Sequence, residues 1–226
     1  MLQHLAIIMD GNRRWAKNQN LLSVEGHQKG YEKLKEVMTW CLKKDIKTLT
    51  VYAFSTENWN RSEDEVNFLM TLFHRALTDE LAEFHSQGIR LNVIGSRERL
   101  SAKIVKAIAE AEEKTKDNTQ GTLNLCINYG GRLEIIEAVK KIVASGVKPE
   151  NITDKLIADN LWMAGQADPD LIIRTSGEQR LSGFLTWESV YSEFLFLEKH
   201  WPDFSEADFD QALNDFNNRH RRFGAN

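Results

Sequence analysis

His4-Leu5-Ala6-Ile7-Ile8-Met9-Asp10-Gly11-Asn12-Arg13-Arg14-Trp15-Ala16 is the stretch that decides the fold. An apolar run closes on an acid, a glycine, an amide and two cations, which is how a short, buried parallel strand ends in a turn. Ligands of an open α/β sheet bind beyond the carboxyl ends of its strands. Asp10 therefore stands where a Mg²⁺ ligand would stand. Gly11 lets a phosphate approach the backbone, and Arg14 can neutralise one. The alternative is an ordinary strand-to-helix turn with a solvated arginine pair, and this segment alone does not choose.

Working outward, strand-like runs recur at Leu5–Met9, Thr48–Phe54, Ile89–Ile94, Thr122–Ile127, Leu171–Arg174 and Phe194–Leu197, with helical patterns between them. That alternation predicts an α/β fold with a mostly parallel central sheet of about six strands flanked by helices. No repeat, low-complexity tract or Pro/Gly-rich linker interrupts it, so residues 1–226 read as a single domain. The length suits one sizeable core. A formal net charge of −4 gives no basic footprint for nucleic acid. Cys41 and Cys126 fall on a helical and a strand pattern and read as small core residues in a reduced compartment. No apolar run approaches a membrane span, and no leader pattern precedes the first strand; the expectation is a cytoplasmic protein.

Two helices carry further information. His27–Lys44 places Tyr31, Leu34, Met38 and Cys41 at helical spacing. The next is expected to start at Ser62 with Glu65 as its capping-box partner. It carries Val66, Leu69, Met70, Phe73, Leu77, Leu81 and Phe84 on one stripe, with Phe68 and Leu72 off it. So wide an apolar face fits a helix buried on two sides or one wall of an apolar tunnel. Ser205 and Asp208 begin the last helix.

Three more strand ends finish in polar groups: Tyr52-Ala53-Phe54-Ser55-Thr56-Glu57-Asn58-Trp59-Asn60-Arg61, Asn128-Tyr129-Gly130-Gly131-Arg132, and Pro169-Asp170-Leu171-Ile172-Ile173-Arg174-Thr175-Ser176-Gly177-Glu178 with Arg180-Leu181-Ser182 after it. In this order, from His4 to Gly224, the segments resemble the cis-prenyltransferase family, bacterial undecaprenyl diphosphate synthases in particular. The resemblance implies condensation of isopentenyl diphosphate with an allylic diphosphate such as farnesyl diphosphate, to give a long polyprenyl diphosphate for cell-wall lipid carriers. It implies Mg²⁺ as cofactor and Asp10 as its ligand, with Glu193 as a second acid. Gly11, Asn12, Arg13, Arg14, Trp15, Ser23 and His27 map to the allylic diphosphate site. Ser55, Thr56, Glu57, Asn58, Trp59 and Arg61 map to a second substrate-contacting motif. Arg174, Arg180, Leu181 and Ser182 map to the isopentenyl diphosphate site. Asn58 is the catalytic partner of Asp10 in this scheme; an amide is a very weak base, so it is expected to position isopentenyl diphosphate while a phosphate oxygen accepts the proton. An apolar tunnel between the sheet and two helices, a homodimer reached by the Arg221-Arg222-Phe223-Gly224 tail, and transient contact with a membrane surface are implied as well.

Four positions depart from the family pattern: Arg13 stands for a usual Gly, Ser23 for a usual Arg, Ser62 for a Pro and Gly183 for an Asn. They bear on diphosphate affinity and product length. A short-chain cis-prenyl diphosphate synthase is one alternative, and a non-catalytic polyisoprenoid-binding subunit is another. The sequence carries no Cys/His cluster at zinc spacing and no Gly-x-x-x-x-Gly-Lys-Ser/Thr loop.

Overall fold

A computed structural model describes residues 2–219. The opening apolar run forms β1 (His4–Ile8), buried along its whole length. The other strands are β2 (Thr48–Ser55), β3 (Ile89–Ile94), β4 (Gly121–Tyr129), β5 (Leu171–Arg174) and β6 (Glu193–Phe196). They make one sheet in the order β3-β4-β2-β1-β5-β6, and every pairing is parallel. The helices are α1 (Asn12–Asn18), α2 (Ser23–Lys43), α3 (Glu63–Leu77), α4 (Leu81–Ser86), α5 (Ala102–Thr115), α6 (Gly131–Ala144), α7 (Asp154–Ala158) and α8 (Glu206–Asn217).

Alternation along the strands divides the interior in two. Leu5 and Ile7 of β1, Leu49 and Val51 of β2, Leu123 and Leu125 of β4, and Ile173 of β5 pack against α2, α3, α5 and α8 in the principal core. Ala6, Ile8, Cys126, Tyr129 and Ile172 face the other way, onto Met163, Phe184 and Leu185. Strands buried on both faces are what continuous apolar runs require. From β1 the chain crosses to β2 on one side; β5 lies on the other side and leads outward to β6. The carboxyl ends of β1 and β5 thus flank a switch point, where an open α/β sheet leaves a crevice.

Two local expectations are corrected. The long helix after Ser62 breaks after Leu77, at Thr78 (φ −124°, ψ −71°), and resumes as α4. Ser62 caps α3 without any side-chain hydrogen bond, because Glu65 turns away to other partners described below. Leu34, Met38, Leu69 and Phe73 are buried between α2, α3 and the sheet, where the resemblance implies the tunnel. The Ser205–Asp208 cap does form: the Asp208 N–H donates to Ser205 Oγ at 3.3 Å, and Asp208 Oδ2 accepts the Ser205 N–H at 2.8 Å. Cys41 and Cys126 are both free and buried. The Arg221-Arg222-Phe223-Gly224 tail lies outside the described residues.

Candidate active site

Asp10 follows β1 at the crevice and is held from two sides. Its Oδ2 accepts from Arg174 Nη2 at 2.9 Å, and its Oδ1 lies 3.1 Å from Arg14 Nη2. Burial alone would raise the Asp10 carboxyl, but the Arg174 and Arg14 contacts outweigh it and hold it below the usual carboxylate range. Asp10 is therefore ionised at neutral pH. Its backbone carbonyl is fixed by Thr175 Oγ1 (2.7 Å) and by the Trp201 N–H (3.0 Å). Gly11 turns at φ +104°, where a side chain is strained, and a Cβ there would lie 2.6 Å from Ser176 Oγ.

Asp10 sits where two openings meet. The first, about 640 Å³, is lined by Ser55, Thr56, Glu57, Asn58, Tyr52, Arg174 and Ser182, and by Gly130, Gly131 and Arg132 at the start of α6. Arg174 is 5% exposed. Its Nη1 donates to Ser182 Oγ at 3.0 Å and also to the Arg180 carbonyl, while its Nε has no hydrogen-bond partner. Asn58 Oδ1 accepts the Ser55 N–H at 3.0 Å, so the amide is oriented by the turn it closes. An oriented amide with its oxygen already engaged fits a positioning role better than that of a base.

The second opening, about 830 Å³, is lined by Gly11, Asn12, Arg13, Arg14, Lys17, Ser23, His27 and Arg61. Met9, Asp10, Asn12, His27 and Arg61 border both. Gly26 lets α1 and α2 touch: a Cβ there would fall 2.2 Å from the Asn12 carbonyl oxygen.

Sequence reasoning missed the residue that organises this opening. Glu65, buried in the first turn of α3, accepts from His27 Nε2 and from Arg61 Nη1, each at 2.9 Å, and its Oε2 lies 3.8 Å from Arg13 Nη1. Burial pushes the Glu65 carboxyl up, yet the His27 hydrogen bond and the Arg61 charge prevail and keep it low. Burial, only partly offset by Glu65, keeps His27 below its ordinary value, so it is neutral at neutral pH and donates Nε2–H. The Arg61–Glu65 spacing of four on a helix start was the available signal. The pairing with His27, 38 positions away, leaves no local trace.

Several expected residues stand elsewhere. Trp15 donates from Nε1 to Asp203 Oδ1 at 2.7 Å, beside the short helical turn Trp201–Asp203. Trp59 donates from Nε1 to Asn128 Oδ1 at 2.8 Å, meets Phe54 edge-on, and lies under Arg99. Neither ring lines either opening. Arg180 pairs with Glu178 Oε2 at 2.5 Å and contributes only its carbonyl to Arg174; Leu181 packs in the second core. Glu178 also lies 3.6 Å from Arg14, so one acid occupies two cations that the sequence reading assigned to diphosphates. Glu193 pairs across from Leu171 at the amino end of β6, whereas Asp10 follows the carboxyl end of β1. Its Oε2 accepts from Arg219 Nη1 at 2.8 Å. The two acids therefore lie at opposite ends of the sheet and share no ion within one copy of the chain. Among the described residues no group of three or more His, Cys, Asp or Glu could hold a metal. A lone ionised carboxylate suits a hard cation that brings phosphate oxygens and water as its other ligands, as Mg²⁺ does.

A family model described as "Putative undecaprenyl diphosphate synthase" matches residues 8–224. The chain belongs to this prenyltransferase family. The isoprenyl transferase of Clostridium perfringens is 47% identical, covering 99% of this chain and 90% of that one. A Legionella pneumophila relative, named ditrans,polycis-undecaprenyl-diphosphate synthase ((2E,6E)-farnesyl-diphosphate specific), is 45% identical over 98% of this chain and 95% of its own. A crystal structure of lavandulyl diphosphate synthase from Lavandula x intermedia, in complex with dimethylallyl diphosphate, superposes with a TM-score of 0.95 at 38% identity, covering 99% of this chain and 98% of that one. This prenyltransferase thus shares fold and sequence with its relatives over nearly its whole length. No helix among the described residues is long and apolar enough to cross a membrane.

Proposed function

We propose that this prenyltransferase is a Mg²⁺-dependent, cis-specific enzyme that condenses isopentenyl diphosphate with farnesyl diphosphate, to make a long polyprenyl diphosphate such as undecaprenyl diphosphate for cell-wall lipid carriers. The observation that carries this reading is the pair of cation-lined openings meeting at Asp10. The opening with Arg13, Arg14 and His27 takes the allylic diphosphate. The opening with Arg174 and Ser182 takes isopentenyl diphosphate, with Asn58 orienting it. The Arg174 guanidinium and the Ser182 hydroxyl are suited to cradle a phosphate there. Asp10 would hold Mg²⁺, which when bound neutralises charge on the departing diphosphate. Diphosphates entering both openings would displace Glu178 from Arg14 and Arg180 by stronger charge pairing.

The growing apolar chain needs a dry path, and separation of α2 and α3 from the sheet would open one through Met38, Leu69 and Phe73. Ile136, Val139 and Val143 form an exposed stripe on α6, which suits association of two copies; a cytoplasmic enzyme touching a membrane surface at product release completes the reading. A short-chain product is the second reading, supported by the filled core at α2 and α3 and by the likeness to the lavandulyl synthase. The test is mass analysis of lipids formed from farnesyl and isopentenyl diphosphates with and without Mg²⁺. A long ladder that needs Mg²⁺ supports the main reading, termination after one or a few additions supports the second, and no condensation with any allylic primer would refute both.

A further inference from the structure

Behind the opening that contains Ser182 lies a pair of buried acids with no part in the chemistry above. Glu134, in the first turn of α6, is 1% exposed. Its Oε1 accepts the Trp162 N–H at 2.9 Å, and its Oε2 accepts the Tyr129 hydroxyl. Glu188 is 3% exposed, and neither of its carboxyl oxygens has a well-formed hydrogen-bond partner; the backbone N–H groups of Trp187 and Glu188 lie near enough to favour its charge, but less than burial and Glu134 oppose it. The charged groups that act on Glu188 are Glu134 and Asp168, both acids; Cys126 and Tyr129 of β4 are the other titratable neighbours of the pair, and Lys141 acts on Glu134 alone. None of the strongest influences on Glu188 comes from a cation. Two ionised carboxylates cannot share so dry a site; one of them must keep its proton. Glu134 already accepts two hydrogen bonds, so the proton belongs on Glu188. Burial and Glu134 together push Glu188 up to about 8.

The segment that carries Glu188 also carries Ser182. It is a strained turn: Ser182 (φ +52°) and Leu185 (φ +44°) both occupy the left-handed region that residues with a side chain avoid. Its attachment to α6 is a single backbone bond, Gly131 N–H to the Gly183 carbonyl at 2.8 Å, with Phe184 and Leu185 fully buried beside it. Charge on both Glu134 and Glu188 would push apart the surfaces that this bond joins. We propose that Glu188 is a positioning residue of the Ser182 opening, carried as the neutral acid, and that Ser182 keeps its place beside Arg174 only while that proton is held. The proposal rests on the assignment of this opening to a diphosphate.

The experiment compares the full chain with Glu188→Gln, which keeps the shape and cannot ionise. Affinity for inorganic pyrophosphate is measured by calorimetry from about pH 6 to about pH 10, and the two proteins are taken as a ratio, which cancels titration of the probe. Equal affinity at neutral pH is expected, and above the Glu188 titration the wild type should weaken by up to about tenfold per pH unit relative to the variant, the limit for one proton. A parallel infrared difference between wild type and Glu188→Gln, taken without ligand, should show a protonated carboxyl at neutral pH that is lost on the alkaline side. A pH-independent affinity ratio, or an ionised Glu188 at neutral pH, would overturn the proposal. Prenyl transfer by the wild type is assayed alongside; its absence would overturn the assignment of function while the pyrophosphate ratio and the infrared band still decide the role of Glu188.

Discussion

Replacing Glu65 with Ala tests the organisation of the opening assigned to the allylic substrate. The carboxylate accepts two hydrogen bonds, each 2.9 Å long, from His27 and Arg61. A hydrogen bond to a charged group contributes about 1.5–3 kcal/mol. The Arg61 side chain is 25% exposed, so solvent screening places its share at the low end, and the variant also escapes the cost of burying Glu65. The net loss is about 2–4 kcal/mol, or about 5–15 °C in Tm for a domain of this size. The sign of the pH dependence follows from the Glu65 carboxyl, held below its ordinary value. Such a group contributes stability above its unfolded value of about 4.5 and loses it as pH falls toward the folded value. Thermal melts followed by circular dichroism should therefore show a wide gap between wild type and variant at neutral pH that narrows below about pH 4.5. A Tm within about 1 °C of wild type at neutral pH, or a gap that widens in acid, would refute the reasoning.

Asp10→Asn keeps the shape of the side chain and removes the charge that Arg14 and Arg174 balance; condensation should slow by about 10²–10³-fold in kcat, with circular dichroism unchanged. Gly26→Ala places a Cβ 2.2 Å from the Asn12 carbonyl oxygen, so urea titration should show a loss of about 1–3 kcal/mol as α1 is pushed from α2. His4 donates from Nδ1 to the Ala167 carbonyl at 2.7 Å and accepts from Thr50 at Nε2, also 2.7 Å, and burial holds it below its ordinary value. Its contribution is complete above about pH 6.5 and lost as pH falls, so wild-type stability to urea should decline from about pH 7 to about pH 5 with a steeper slope than that of His4→Gln.

The strands were legible because runs such as Leu5–Ile8 and Leu171–Ile173 are apolar without interruption, and burial on both faces demands that. The break after Leu77 was not, since Leu81 and Phe84 keep the apolar spacing while the backbone turns at Thr78. Around the candidate site, Asp10 and Arg14 could be picked out from the end of the first strand, whereas Arg174 and Ser182 were singled out by the resemblance, since an arginine alone reads as a surface charge. Glu65 could not: its local pattern with Ser62 mimics a capping box, and only the approach of α2 to α3 reveals that it serves His27. Trp15 and Trp59 show the converse: motif membership does not tell a ring that lines a cleft from one that supports the turn behind it. Glu193 lies in a strand whose register, unreadable from sequence, sets it at the far end of the sheet.

The central claim is that two diphosphates bind on opposite sides of Asp10. It is tested most directly by steady-state KM values for each substrate in Arg13→Ala and Ser182→Ala, both at exposed positions. Arg13→Ala should raise the KM for the allylic diphosphate by about tenfold or more and leave that for isopentenyl diphosphate within about twofold; Ser182→Ala should do the reverse. If either variant raised both KM values equally, or the two effects were exchanged, the assignment of the openings would be contradicted.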